Sequence, residues 1–88
     1  MTRSIQLIAR DIVADMALQS LQQKKSIRWK DKFPHAAPYI EAMRELDKIS
    51  DNFYLDSGSE IVQRFLGNAN QWRGDVARSI KAELKAML

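Results

Sequence analysis

Residues 57–88 have the pattern of two amphipathic helices joined by a four-residue turn. Ser57 followed three residues later by Glu60 is typical of a capping box, which satisfies free N–H groups at a helix start. Gly67 and Asn68 are predicted to end the first helix, and Asn70 to cap the second. The apolar residues of each helix share one face at helical spacing. Two such faces are buried by packing helix on helix, so the chain is predicted to be all-α.

The first half of the chain adds two more predicted helices, the second of which begins at Pro38, a residue favoured in a first turn. We therefore predict one domain over residues 1–88, a compact bundle of about four helices at approximately 4–23, 38–50, 57–67 and 71–87. Residues 24–37 are predicted to be a loop with at most a short helical turn. The apolar linker 51–56 is expected to lie across the core, and no segment shows a strand pattern.

The first predicted helix carries two apolar stripes on opposite sides. One stripe consists of Ile5, Ile8, Ala9, Ile12, Val13 and Met16, and the other of Leu7, Ala14, Leu18 and Leu21. A surface helix of a monomer usually needs only one such stripe. Either this helix is central in the bundle, or its second stripe contacts another chain and the protein is a homodimer or binds a different protein.

The composition excludes several kinds of site. The chain has no cysteine, so it can form neither a disulfide nor a thiolate metal site. Its one histidine, His35, lies between two prolines without the partners that a general base needs. We therefore predict no enzymatic activity, no metal and no cofactor. The sequence also contains no signal peptide and no membrane span, which predicts a cytoplasmic protein.

The net charge of +3 is unevenly distributed. Residues 24–40 hold five cations against one carboxylate, whereas residues 41–60 hold six carboxylates against two cations. A basic segment with nearby Trp29 and Phe33 predicts nucleic-acid binding by phosphate contacts and base stacking, unless both rings lie in the core. The last helix adds a second basic strip, and the last two helices resemble a helix-turn-helix. The candidate nucleic-acid contacts are Lys24, Lys25, Arg28, Lys30, Lys32, Arg78, Lys81 and Lys85.

The segment Trp72-Arg73-Gly74 is the last candidate for recognition. If the fourth helix begins at residue 71, Arg73 points toward the apolar side, where a guanidinium needs an anionic partner. That partner is either a group of this chain, such as Asp56, or a carboxylate of another protein. The candidate partner-binding residues are Leu7, Leu18, Leu21, Trp72 and Arg73.

Segments 37–43 and 56–85 resemble a family of small, uncharacterised bacteriophage and prophage proteins. The resemblance covers roughly half of the chain and rests on Trp72-Arg73-Gly74 and on Ala77-Arg78-x-Ile80-Lys81. It implies a bacterial cytoplasm and an accessory role, but no activity. The missing catalytic residues, the second apolar stripe and the separated charge predict a non-enzymatic protein-interaction module, with nucleic-acid binding as the alternative.

Overall fold

A computed structural model describes residues 3–24, 26 and 28–88. Within these residues lie five helices, α1 (Ile5–Gln23), α2 (Trp29–Lys32), α3 (Ala37–Met43), α4 (Gly58–Asn68) and α5 (Asp75–Met87), and one antiparallel hairpin, β1 (Asn52–Phe53) with β2 (Asp56–Ser57). The all-α class is therefore confirmed. The short helix α2 lies inside the segment that was predicted to be a loop.

Helix α1 begins and ends at residues that cap it. The Ser4 side chain accepts a hydrogen bond from the Leu7 N–H, and Lys24 ends the helix in the left-handed conformation. The N–H groups of Ile5 and Gln6 have no acceptor within the helix, and they donate instead to the carbonyls of Asp47 and Leu46, each at 2.9 Å. The turn after α3 thus closes the first turn of α1 and fixes the two helices relative to each other.

Helix α3 is shorter than predicted, ending at Met43 rather than at residue 50. The Asp51 carboxylate accepts the N–H groups of Asp47 and Lys48, at 3.1 and 2.9 Å. These bonds compete with a helical backbone, so the chain turns here and presents its carbonyls to α1. The same bonds hold the pKa of the Asp51 carboxyl below its ordinary value.

Residues 51–56, predicted to cross the core, form the hairpin instead. Phe53 packs against the core, but Tyr54 and Leu55 form an exposed turn. The hairpin is joined closely to α4, because the Gly58 N–H donates to the Asp51 carbonyl at 2.6 Å. The Ser57 side chain caps α4 by accepting the Glu60 N–H, which is one of the two hydrogen bonds that the capping box predicts.

The core lies between α1, α3, α4 and α5, and an aromatic cluster forms one end of it. Trp29, Phe65 and Trp72 are buried, with ring centroids between 5.3 and 6.2 Å apart. The Trp29 indole N–H donates to the Ile12 carbonyl at 3.3 Å, which attaches α2 to α1. No side-chain nitrogen or oxygen that is buried in the described part of the chain lacks a hydrogen-bond partner.

The connection between α4 and α5 differs from the predicted turn. Helix α4 continues through Gly67 to Asn68, and Asn70 does not cap α5 but donates to the Gly67 carbonyl at 3.4 Å. Helix α5 begins at Asp75 rather than at residue 71, because Gly74 has a positive φ of 118° and interrupts the helical backbone. Trp72 and Arg73 therefore lie in the connection, outside any helix.

Candidate protein-interaction surface

Helix α1 packs with one stripe against the core and leaves the other uncovered. Five residues of its first stripe are buried, namely Ile5, Ile8, Ala9, Ile12 and Met16, whereas Val13 is exposed. The second stripe, Leu7, Ala14, Leu18 and Leu21, is exposed along its whole length, and Leu21 retains 77% of its accessible surface. Helix α1 is therefore not central, and we call this second set the leucine stripe.

The leucine stripe borders a groove between α1 and α5. The groove measures about 530 Å³, and its apolar residues are Ala14 and Leu18 from α1 and Val76 and Ile80 from α5. Half-exposed Val76 extends the apolar surface across the groove. Two helices supply the walls here, and an apolar groove between two helices is a surface on which an amphipathic helix can bind.

The rim of the α1/α5 groove is acidic. Asp11, Asp15 and Asp75 line it together with a single cation, Arg3. Arg3 forms ion pairs with Asp11 and, at 2.7 Å, with Glu83 of α5. The hydrogen bonds from Arg3 hold the pKa of Glu83 below its ordinary value. Asp75 pairs with Arg78 at 3.7 Å, but both side chains are highly exposed and such surface pairs are weak. Three carboxylates against one cation therefore leave the groove lining with a net negative charge.

Trp72 holds the two walls of this groove together. Its indole N–H donates to the Asp15 carboxylate of α1 at 2.9 Å, and its carbonyl accepts from the Lys81 ammonium of α5 at 2.6 Å. The prediction that Trp72 contacts a partner is wrong, because only 1% of its surface is exposed. The residue positions α1 and α5 from inside the core.

Arg73 is exposed and does not point into the core. The prediction that it faces the apolar side depended on a helix starting at residue 71, and that start is wrong. Asp56, its predicted partner within the chain, pairs instead with Arg64 at 3.6 Å. Arg73 therefore stays available to an external group, but it is not part of the groove lining.

The predicted basic segment is largely exposed, but its two aromatic rings pack in or against the core. Lys24, Lys30 and Lys32 are exposed, Arg28 pairs with Asp31 at 3.0 Å, and Lys25 lies outside the described residues. Trp29 is buried in the aromatic cluster and Phe33 packs beside it at 5.0 Å. The core alternative for Trp29 is therefore correct, and this ring cannot stack on a base.

The basic strip of α5 is divided by its contacts. The Lys81 ammonium donates to the Trp72 carbonyl. Burial lowers the pKa of Lys81 from its ordinary value, and the nearby positive charges of Lys85 and Arg73 lower it further. Arg78 and Lys85 are both exposed, and Arg78 forms a surface ion pair with Asp75 at 3.7 Å. The strip therefore presents less free positive charge than its helical spacing predicts.

The described residues contain no group of three or more histidine or acidic side chains that could hold a metal ion. His35 is an exposed loop residue. No helix within the described ranges is long and apolar enough to cross a membrane.

No protein-family model, curated protein or solved structure matches this chain. The resemblance to phage proteins therefore remains a prediction.

Proposed function

We propose that this protein is a non-enzymatic interaction module that binds an amphipathic helix of another protein in the α1/α5 groove. The observation that carries the proposal is the leucine stripe, which stays uncovered while Val76 faces it across the groove. Apolar residues gathered on one surface and rimmed by charges are typical of protein-binding sites. In keeping with the phage resemblance, we further propose an accessory role in a bacterial cytoplasm.

The acidic rim defines the chemistry of the partner. A helix with a leucine-rich face and lysine or arginine residues along both edges would place its apolar side chains against Leu18 and Val76 and its cations near Asp15 and Asp75. A symmetric dimer through the same groove is less favourable, because a two-fold axis would bring the two acidic rims together. A basic helix of a different protein therefore fits this surface better than a second copy does.

The test uses a designed helical peptide with a leucine face and lysine edges, labelled for fluorescence anisotropy. We expect it to bind the wild-type protein, and Leu18→Ser to weaken binding on the order of tenfold, because an interface leucine is lost. Leu88→Ser is the matched control, since Leu88 and Leu18 are equally exposed at 52% and 51%. A peptide with the same leucine face and glutamate edges should bind less well than the lysine peptide.

Equal binding by Leu18→Ser and wild-type protein would contradict the groove proposal. The alternative is tested in parallel with labelled duplex and single-stranded nucleic acid at low and near-physiological salt. Nucleic-acid binding that survives moderate salt and is lost on reversing Lys30 and Lys32 would replace the protein-interaction proposal. The buried Trp29 ring leads us to expect no such binding.

A further inference from the structure

The turn of the hairpin exposes two large side chains in an unfavourable backbone. Register pairs Phe53 with Asp56, so Tyr54 and Leu55 are the two turn residues. Tyr54 has a φ of 56°, at the first central position, where hairpin turns favour glycine or asparagine and where a bulky residue is strained. Tyr54 keeps 86% of its surface exposed and Leu55 all of it. Small polar residues would make this turn more favourable for folding.

The hairpin presents this pair, which we call the knob, on a firm base. Phe53 packs against the core, and its ring meets the Tyr54 ring edge-on at 4.7 Å. Gly58 and the Asp51 side chain hold the base by the hydrogen bonds described above. The backbone at the base of the knob is held by these bonds, which lowers the conformational entropy that the backbone loses on binding.

The same chain contains a basin of matching chemistry between α1, α2 and α3. It measures about 660 Å³, within the range of ligand pockets, and Met16, Trp29 and Ile40 among its lining residues are buried. Its polar rim consists of Arg28, Lys30 and Arg44, with Glu41 as the single acidic residue. The basin is therefore apolar inside and positively charged at its edge.

The charges around knob and basin are complementary. Asp51 and Asp56 flank the knob, and three cations surround the basin. Asp56, Arg28 and Arg44 also form ion pairs within the chain, but these pairs are exposed and therefore weak enough to exchange for the charges of a second copy. The knob does not occupy the basin of its own chain, because both of its side chains are exposed. We propose that the knob of one copy inserts into the basin of the next, with Tyr54 and Leu55 against the apolar lining and the flanking carboxylates toward the cationic rim.

Such a contact joins two different surfaces of the same chain. It is heterologous, so it propagates head to tail and produces either a ring or an open filament, not a symmetric dimer. The knob offers only a small area, and we therefore expect weak association, on the order of 10–100 µM. This self-association uses neither the leucine stripe nor the α1/α5 groove, and it is independent of the proposed function.

Two variants test the proposal by sedimentation velocity. The knob variant, Tyr54→Gly with Leu55→Asn, places glycine at the turn position whose φ is positive. The basin variant, Ala17→Leu with Arg44→Glu, fills the exposed lining at Ala17 and reverses one rim charge. We expect wild-type mass to rise with concentration and each variant to associate at least about 30-fold more weakly. An equimolar mixture of the two should form a 1:1 pair and nothing larger, because one intact knob meets one intact basin.

Wild-type protein that remains monomeric at millimolar concentration would overturn the proposal, as would variants that associate like the wild type or a mixture that forms no pair. Leu18→Ser is the control for the other face and should associate like the wild type. Circular dichroism checks that every variant keeps its helices. If the basin variant does not fold, Arg44→Glu alone takes its place in the mixture, since Arg44 is exposed.

Discussion

Gly58→Ala measures how closely the base of the hairpin approaches α4. A Cβ atom at residue 58 would lie 2.8 Å from the Ile49 carbonyl oxygen and 3.0 Å from that of Asp51. Both are backbone atoms, so neither can rotate away as a side chain would. The Gly58 N–H also donates to the Asp51 carbonyl, and relieving the clash would strain this bond.

The expected loss follows from two opposing effects. Forcing an extra carbon into a packed site costs about 1–3 kcal/mol, whereas alanine in place of helical glycine regains up to about 1 kcal/mol. With the middle of each range, about 2 kcal/mol lost and about 0.5 kcal/mol regained, the net destabilisation is about 1.5 kcal/mol, which corresponds to a Tm lower by about 6–12 °C in a domain of this size. Urea and thermal unfolding followed by far-UV circular dichroism would measure both quantities.

Gly67→Ala is the matched control in the same helix. A Cβ atom there meets nothing within 4 Å, and the backbone has no positive φ. We expect this variant to be more stable by about 0.5 kcal/mol, because alanine restricts the unfolded chain and favours helix. If both variants shift stability in the same direction, or if Gly58→Ala is as stable as the wild type, the close approach between hairpin and helix is wrong.

Two further changes test the contacts that hold α5 against α1. Trp72→Phe removes the indole N–H donor to Asp15 and part of a buried ring, and should lower the free energy of unfolding by about 1–3 kcal/mol in urea titrations. Unchanged stability would show that this hydrogen bond does not support the fold. Glu83→Gln tests the ion pair with Arg3. Because the folded-state pKa of Glu83 lies below the ordinary 4.5, the pair stabilises the protein above that pH and the contribution is lost as the pH falls through the folded pKa. We expect the wild type to lose about 0.5 kcal/mol more than the variant between neutral and strongly acidic pH, since the pair is partly exposed. Equal acid sensitivity of the two proteins would contradict this role.

Sequence patterns with a local physical cause predicted the structure well. Helix α1 ends at the predicted residue 23, and α4 agrees within one residue of its predicted range, because caps and apolar spacing act within a few turns. The end of α3 was not predictable in this way. Its continuation to residue 50 was prevented by Asp51 and by the need of α1 for the carbonyls of Leu46 and Asp47, which is a contact between distant segments.

The candidate surfaces show the same division. The sequence displays both stripes of α1, but a helical wheel does not say which stripe meets the core. Val76 falls on the apolar face of its helix, which predicts burial, whereas the structure leaves it half-exposed on the far wall of the groove. The sequence predicts a recognition role for Trp72, whereas the structure places its indole N–H against the Asp15 carboxylate. No prediction from the sequence concerns the knob or the basin. The apolar linker that contains Tyr54 and Leu55 is predicted to lie across the core, because apolar linkers are usually buried. Both side chains are exposed instead, since exposure is decided by the whole fold.

By itself, the sequence determined the all-α class, the N-terminal caps of α1 and α4, the lack of thiol chemistry and the separation of charge along the chain. These properties depend on residue chemistry and on contacts within a few positions. Only the tertiary structure decided which apolar residues remain uncovered, which cations are already paired and which acidic groups gather at one rim. These outcomes depend on packing between segments far apart in sequence, because burial and ion pairing are properties of the assembled surface rather than of any single helix.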